Sequence, residues 1–170
     1  IKELHMLELK EARKELYKKP RLEQLFLEVT SRCNARCEHC GSRCDGNMQG
    51  EEISSECLKN TLQEIADHYD AKEIFLAVTG GEPLMRKDLF EIMEFAVELG
   101  FSWGITSNGM LINKSMVKKM EKSKMATVSI SIDGLKETHE SFRKVPNSFE
   151  KILEGIRMMQ ESPVIKIVQV

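Results

Sequence analysis

The chain has 170 residues, 41% of them hydrophobic, and its 25 Lys plus Arg against 27 Asp plus Glu give a formal charge of −2. This length and apolar content suit one domain with one sizeable core and exclude an intrinsically disordered chain. The balanced charge gives no net pull toward nucleic acid or anionic lipid, and no stretch approaches the ~18 apolar residues of a membrane span. With nothing resembling a secretory leader, a cytoplasmic setting is expected.

Residues Ile1–Lys19 read as a separate leading helix stopped by Pro20, with Leu4, Leu7 and Leu16 as a docking face. The expected division is therefore a leading helix over residues 1–20 and a core over residues 21–170. Within the core, five β-branched or aromatic runs read as strands: Leu25–Val29, Ile74–Val78, Ser102–Ser107, Thr127–Ile132 and Val164–Val170. Helical spacing fills most of the gaps. Ser54 opens a pattern through Leu58, Leu62, Ile65, Ala66 and Tyr69, and Asp88 with Glu91 resembles a capping pair before Leu89, Met93, Ala96 and Val97. Asn113 opens a helix carrying Met116, Val117 and Met120, and Ser148 opens another through Phe149, Ile152, Leu153, Ile156 and Met159.

Strand and helix in alternation specify a parallel sheet with right-handed crossovers. Five strands suit either an open, partial barrel or a doubly wound sheet, and both gather chemistry at the C-terminal strand ends. The chain closes on a strand with no helix after it, so a core truncated at its C-terminus is expected.

Four of the five cysteines (Cys33, Cys37, Cys40, Cys44 and Cys57) fall within twelve residues directly after the first strand. An odd, clustered set is a poor disulfide framework and a good soft-metal site. Three arrangements are open. Cys33, Cys37 and Cys40 can hold three irons of a four-iron cluster and leave the fourth iron to a substrate. Cys44 or His39 can complete a tetrahedral zinc site, although no second CxxC pair exists to support one. Cys44 can also complete an electron-transfer cluster, although the first gap is three residues and Asp45 stands where the ferredoxin spacing has proline.

Side-chain parity adds an independent expectation. On the fourth strand Ser129, Ser131 and Asp133 share one face and Val128, Ile130 and Ile132 the other. The polar face would line a lumen, where a ribose or carboxylate could satisfy it. The same rule groups Phe26, Glu28 and Thr30 on the first strand, with Glu28 as a lumen hydrogen-bonding group or a substrate contact. Gly80-Gly81 after the second strand would let a ligand approach the backbone closely. Asn108 at the end of the third is a candidate ribose contact or ordinary turn chemistry.

The run Cys33-Asn-Ala-Arg-Cys37-Glu-His-Cys40 resembles the signature of the radical S-adenosylmethionine (radical SAM) enzymes. Later segments agree in order: Thr79-Gly80-Gly81-Glu82-Pro83 is similar to the family's GGEP motif, Thr106-Ser107-Asn108-Gly109 ends the third strand, and Ser129-Ile130-Ser131-Ile132-Asp133-Gly134 ends the fourth, followed by His139 and Arg143. The resemblance implies an α/β partial TIM-like barrel of the radical SAM type, with about five parallel strands present. It also implies a [4Fe–4S] cluster on Cys33, Cys37 and Cys40, and S-adenosyl-L-methionine on its free iron. Gly80, Gly81 and Glu82 would meet the methionine amino group, His39 would shape the adenine site, and Asn108, Ser131 and Asp133 would contact the cofactor. Arg143, placed after His139 as in an H-x3-R element, would grip the methionine carboxylate, which its planar fork suits.

The expected activity is reductive cleavage of S-adenosylmethionine to a 5′-deoxyadenosyl radical that abstracts hydrogen from a small-molecule or peptide substrate. A low-potential donor such as flavodoxin or ferredoxin would supply the electron. The Ser131–Arg143 run resembles the subgroup with a C-terminal SPASM/twitch-type domain, which modifies peptides; cofactor biosynthesis is the enzymatic alternative. Arg32, Arg36 and Arg43 flank the cysteines and bear on the cluster's potential. Cys57, near a helix start, is expected to pack.

Overall fold

Each run expected as a strand is a strand in the computed structural model, which describes residues 2–42, 44 and 52–169. Arg43, Asp45 and Val170 lie outside the described residues. The strands are β1 Gln24–Glu28, β2 Phe75–Thr79, β3 Ser102–Ser107, β4 Thr127–Ser131 and β5 Ile165–Gln169. Strand β2 starts one residue later than its pattern because the Ile74 N–H closes a 3-10 turn on the Ala71 carbonyl.

All neighbouring strands are parallel and the sheet order is β1-β2-β3-β4-β5. Consecutive order with right-handed crossovers stacks every helix on one face, so the sheet is a partial barrel and not doubly wound. The helices are α1 Lys2–Lys18, α2 Ser55–His68, α3 Leu89–Glu98, α4 Lys114–Lys122, α5 Lys136–Arg143 and α6 Ser148–Met158. The core is the outer sheet face against those helices: Leu76, Val78, Trp103, Ile105, Val128 and Ile130 pack with Leu62, Ile92, Met93, Met120 and Ile152. The inner face is the polar one, and Phe26, Glu28 and Thr106 are exposed on it.

The caps depart from the sequence expectation in instructive ways. Ser54 and Asn113 cap α2 and α4 as expected, accepting from the N–H groups of Cys57 and Met116. Asp88 precedes α3 but makes no side-chain cap, because Arg86 takes its carboxylate. Helix α6 does begin at Ser148, but its cap is Asn147 in the left-handed region. Helix α5 carries no apolar stripe, and of its residues only His139 is buried. It is stabilised by packing on α6 and not by periodicity. Leu7 and Leu16 of α1 are exposed, so the expected docking face meets no partner among the described residues. Cys57 is exposed too, at the first turn of α2, and does not pack.

The β1–β2 ladder does not stop where the strands do. The Val29 N–H donates to the Thr79 carbonyl at 3.0 Å, the Gly81 N–H to Thr30 at 2.7 Å and the Glu82 N–H to Arg32 at 2.8 Å. The loop after β2 is thereby zipped onto the three residues preceding Cys33. Only glycine permits this approach. A Cβ on Gly80, whose φ is +130°, would strike the Thr30 carbonyl, and one on Gly81 would strike that of Arg32. The space that the sequence suggests for a ligand is, on this side, filled by the chain's own backbone.

Gly80→Ala combines a wrong-signed φ with overpacking and is expected to destabilise the protein by about 2–4 kcal/mol. Gly41→Ala, where an added methyl meets open space, is expected to stay within about 0.5 kcal/mol. Urea unfolding midpoints of the two variants check the contrast.

Candidate metal and cofactor site

The cysteine segment has almost no regular structure of its own, so its neighbours must position it. At its start the zipper to Gly80–Glu82 sets the backbone. At its centre two N–H groups, Arg36 at 3.3 Å and Glu38 at 2.9 Å, donate to the Arg143 and Phe142 carbonyls at the C-terminal end of α5. An ion pair between Lys144 and Glu38 closes the same corner. The Cys40 N–H then turns back to the Cys37 carbonyl at 3.2 Å.

The three thiols that this produces, Cys33, Cys37 and Cys40, line one cavity of about 220 Å³. Its other walls are strand ends: Thr79, Gly80 and Gly81 after β2, Thr106 to Asn108 at β3, and Ser131 at β4. His39 and Arg143 complete the rim. Among the sequence candidates, Glu82 and Asp133 do not line it; both act on residues that do. Among the described residues, no three His, Cys, Asp or Glu side chains converge as a single-ion site. Soft sulfur donors lining one cavity are the chemistry of an iron–sulfur or zinc site. The donor set, thiols and polar strand ends in one cavity, fits a cluster together with a polar small molecule.

Glu82 is completely buried. Its carboxylate accepts from the Leu84 N–H at 3.2 Å, the Ser107 hydroxyl at 2.8 Å and the Asn108 N–H at 2.8 Å. Burial raises its pKa despite these donors, which favour the charged form. It thus holds the end of β3 in place, and with it Asn108. That residue spans the cavity wall, its Nδ2 donating to Asn34 Oδ1 at 2.7 Å and lying 4.0 Å from the Cys33 sulfur.

His39 stands on the exposed rim. Its Nε2 is 3.6 Å from Asp133 Oδ1, and its ring meets Phe142 edge-on. Asp133 receives Arg143 through both oxygens, Nε at 2.5 Å and Nη2 at 3.0 Å. Ser131 and Ser129 are half-buried on the inner face, as parity requires. Glu28 is exposed on that face.

Burial pushes the Cys33 thiol upward, against a lowering hydrogen bond at Ala35. Burial also pushes Cys44 upward, with Cys40 beside it. Cys44 is 5% exposed and lines the same cavity. Metal binding at Cys33 would release the proton that burial favours there.

Two functional side chains escape sequence reasoning. Arg86 is buried and donates to the Val29 carbonyl at 2.6 Å and the Ile53 carbonyl at 2.8 Å while paired with Asp88. Glu52 accepts from Thr30 and clasps Arg32 through both oxygens. Neither carries a motif, and an Arg or Glu in a loop reads as solvated surface.

Residues 27–169 match the radical SAM superfamily. The chain belongs to that family. Radical SAM proteins use a [4Fe–4S] cluster and S-adenosylmethionine, and the family members similar to this chain are enzymes. The AdoMet-dependent heme synthase of Methanosarcina barkeri is 33% identical over 144 residues, covering 84% of this chain and 40% of that protein. The Fe-coproporphyrin III synthase of the same organism is 35% identical over 136 residues, covering 80% and 33%. The chain therefore spans well under half the length of the curated relatives it matches. Streptococcus suis SuiB bound to precursor peptide SuiA shares the fold, with a TM-score of 0.71 and 21% identity over 94% of this chain and 36% of that one.

Glu82→Gln keeps the shape but turns one amide donor against an N–H or hydroxyl donor. It is expected to cost about 1–3 kcal/mol of stability, read from denaturant unfolding. After anaerobic reconstitution, Cys37→Ala is expected to lose bound iron, while Cys44→Ala stays near the wild-type iron content. Equal loss in both variants would indicate a site of four cysteines.

Proposed function

We propose that the intact protein is a radical SAM enzyme in which Cys33, Cys37 and Cys40 hold three irons of a [4Fe–4S] cluster. The observation that carries this reading is the single cavity shared by those thiols and the polar ends of β2, β3 and β4. These three thiols would hold the cluster, which would supply the low-potential electron for reductive cleavage of S-adenosylmethionine and so for hydrogen abstraction from a substrate.

The chain's own residues bind and orient. Gly80 and Gly81 offer backbone to the cofactor's amino acid end, and Glu82 supports that loop from behind. Ser131 and Asn108 offer hydrogen bonds at the strand ends, Asp133 acts through Arg143, and His39 covers the adenine side. The three thiols are half-buried, which limits the water that reaches them.

The substrate reading follows the stronger similarity. Two relatives above 30% identity are synthases named for heme and an iron porphyrin, which favours cofactor biosynthesis with a tetrapyrrole-type substrate. The peptide-modification alternative has a likeness of fold to SuiB behind it. We assign residues 1–20 to a leading helix and residues 21–170 to the radical SAM core. The reducing cytoplasm is the proposed setting, with flavodoxin or ferredoxin as electron donor, and the unpaired cysteines support it. No helix among the described residues is long and apolar enough to cross a membrane.

The test is chemical. The anaerobically reconstituted full-length protein, reduced with dithionite, is expected to form 5′-deoxyadenosine from S-adenosylmethionine, measured by liquid chromatography. A protein that binds zinc alone and forms no such product overturns the proposal.

A further inference from the structure

The resemblance assigns Arg143 to the cofactor's carboxylate, yet the fork that would take a carboxylate is already occupied. Nε and Nη2 lie on Asp133 at 2.5 and 3.0 Å. The remaining terminal nitrogen, Nη1, is 3.6 Å from the sulfur of Cys37, within the reach of an N–H···S hydrogen bond. We propose that Arg143 is a hydrogen-bond donor to the Cys37 thiolate and stabilises the reduced state of the cluster held there. This rests on the metal-centre reading above and extends it from cofactor grip to control of the redox couple.

Three features of the structure make the contact a built one. Donor and acceptor are tied through the backbone: the Arg143 and Phe142 carbonyls receive the N–H groups of Arg36 and Glu38, the residues on either side of Cys37. The distance from Nη1 to the sulfur is therefore set by two bonds that flank it. The guanidinium is mostly buried, its side chain 12% exposed, so water does not compete strongly for it. Finally, Asp133 is itself held: its N–H donates to Nδ1 of His139 at 3.2 Å. The same Nδ1 lies 3.4 Å from Asp133 Oδ2, so the His139 ring braces both the backbone and the carboxylate of Asp133. His139 is fully buried, and burial holds its pKa below the ordinary value. His139 and Asp133 are thus positioning residues, and Arg143 is the group that touches the ligand sulfur.

The physical effect has a definite sign. Reduction adds negative charge to the cluster and its sulfur ligands, and a cationic N–H donor at a sulfur stabilises that added charge. Removing the donor makes the cluster harder to reduce. A carboxylate arriving from the cofactor would meet only the hydrogens left on Nη1 and Nη2, so the two roles use different edges of one side chain.

The experiment uses the reconstituted full-length protein without S-adenosylmethionine, so that cofactor binding does not enter. Protein labelled with arginine carrying 15N in the guanidinium group alone, so that the backbone nitrogens of Arg32 and Arg36 beside Cys33 and Cys37 stay silent, is reduced and examined by pulsed electron paramagnetic resonance. A weak 15N hyperfine coupling to the cluster is expected, lost in both Arg143→Gln and Arg143→Lys. The midpoint potential from a dye-mediated titration is expected to move to a more negative value in Arg143→Gln, with iron and sulfide content unchanged. Asp133→Asn, which loosens the fork, is expected to weaken the coupling. Absence of any arginine 15N coupling in the wild-type protein overturns the inference even if the variants fail to load. So does an unchanged potential in a fully loaded Arg143→Gln. A wild-type protein that takes up no iron overturns the metal-centre reading itself, and the iron count separates that failure from the other two.

Discussion

The approach of two backbones, Thr30–Arg32 against Gly80–Glu82, is the constraint on which the rest of the site depends. A parallel ladder ordinarily ends with its strands, leaving the loops beyond to find their own positions. Here two further N–H groups continue it, from Gly81 to Thr30 and from Glu82 to Arg32. The cysteine segment starts at the next residue. Its first thiol therefore takes its position from the register of β1 on β2, which pairs Glu28 with Thr79. A side chain at either glycine would separate the two loops and release the start of the cysteine segment from the sheet.

The turn from Glu82 to Arg86 extends this constraint in both directions with two buried charges of opposite sign, which do not pair with each other. Glu82 reaches forward to the hydroxyl of Ser107 and the backbone of Asn108. Arg86 reaches back to the carbonyl of Val29 and sideways to that of Ile53. Each charge is desolvated and satisfied by fixed polar groups, the condition under which a buried charge is tolerated. Five residues thus tie the ends of β1 and β3 and the entry to α2 to one point. The opposite clamp, at the end of α5, uses backbone carbonyls on the far side of the cysteine segment. Between these supports an irregular loop acquires a defined shape without a helix or strand of its own.

What was legible in the sequence is what depends on local periodicity or on side-chain chemistry. The strands could be read because β-branched runs alternate or stay apolar according to which faces they bury, and parity assigned Val128 and Ile130 to the core and Ser131 to the cavity. The cysteines could be read because three thiols at that spacing have few other uses. The glycine pair was legible as a close approach, but not which partner approached, since a missing Cβ looks the same to a ligand and to a neighbouring strand. Helix α5 was not legible because its sequence, KETHESFR, buries a single histidine and has no apolar stripe to detect.

The illegible residues share one property: their partners are distant in sequence. Arg86 binds Val29, 57 positions away, and Arg143 approaches Cys37 across 106. A carbonyl carries no residue identity, so nothing at position 29 or 53 announces that a guanidinium will bind there. The same reasoning explains why Glu82 reads as a ligand contact from its motif and stands in the structure as a buried tie to β3. A motif records that a residue type is required at a position, whereas burial and hydrogen-bond partners state what requires it. For Glu82 and Arg143 alike, the requirement comes first from the protein: each holds another element in place, and the cavity wall is the result.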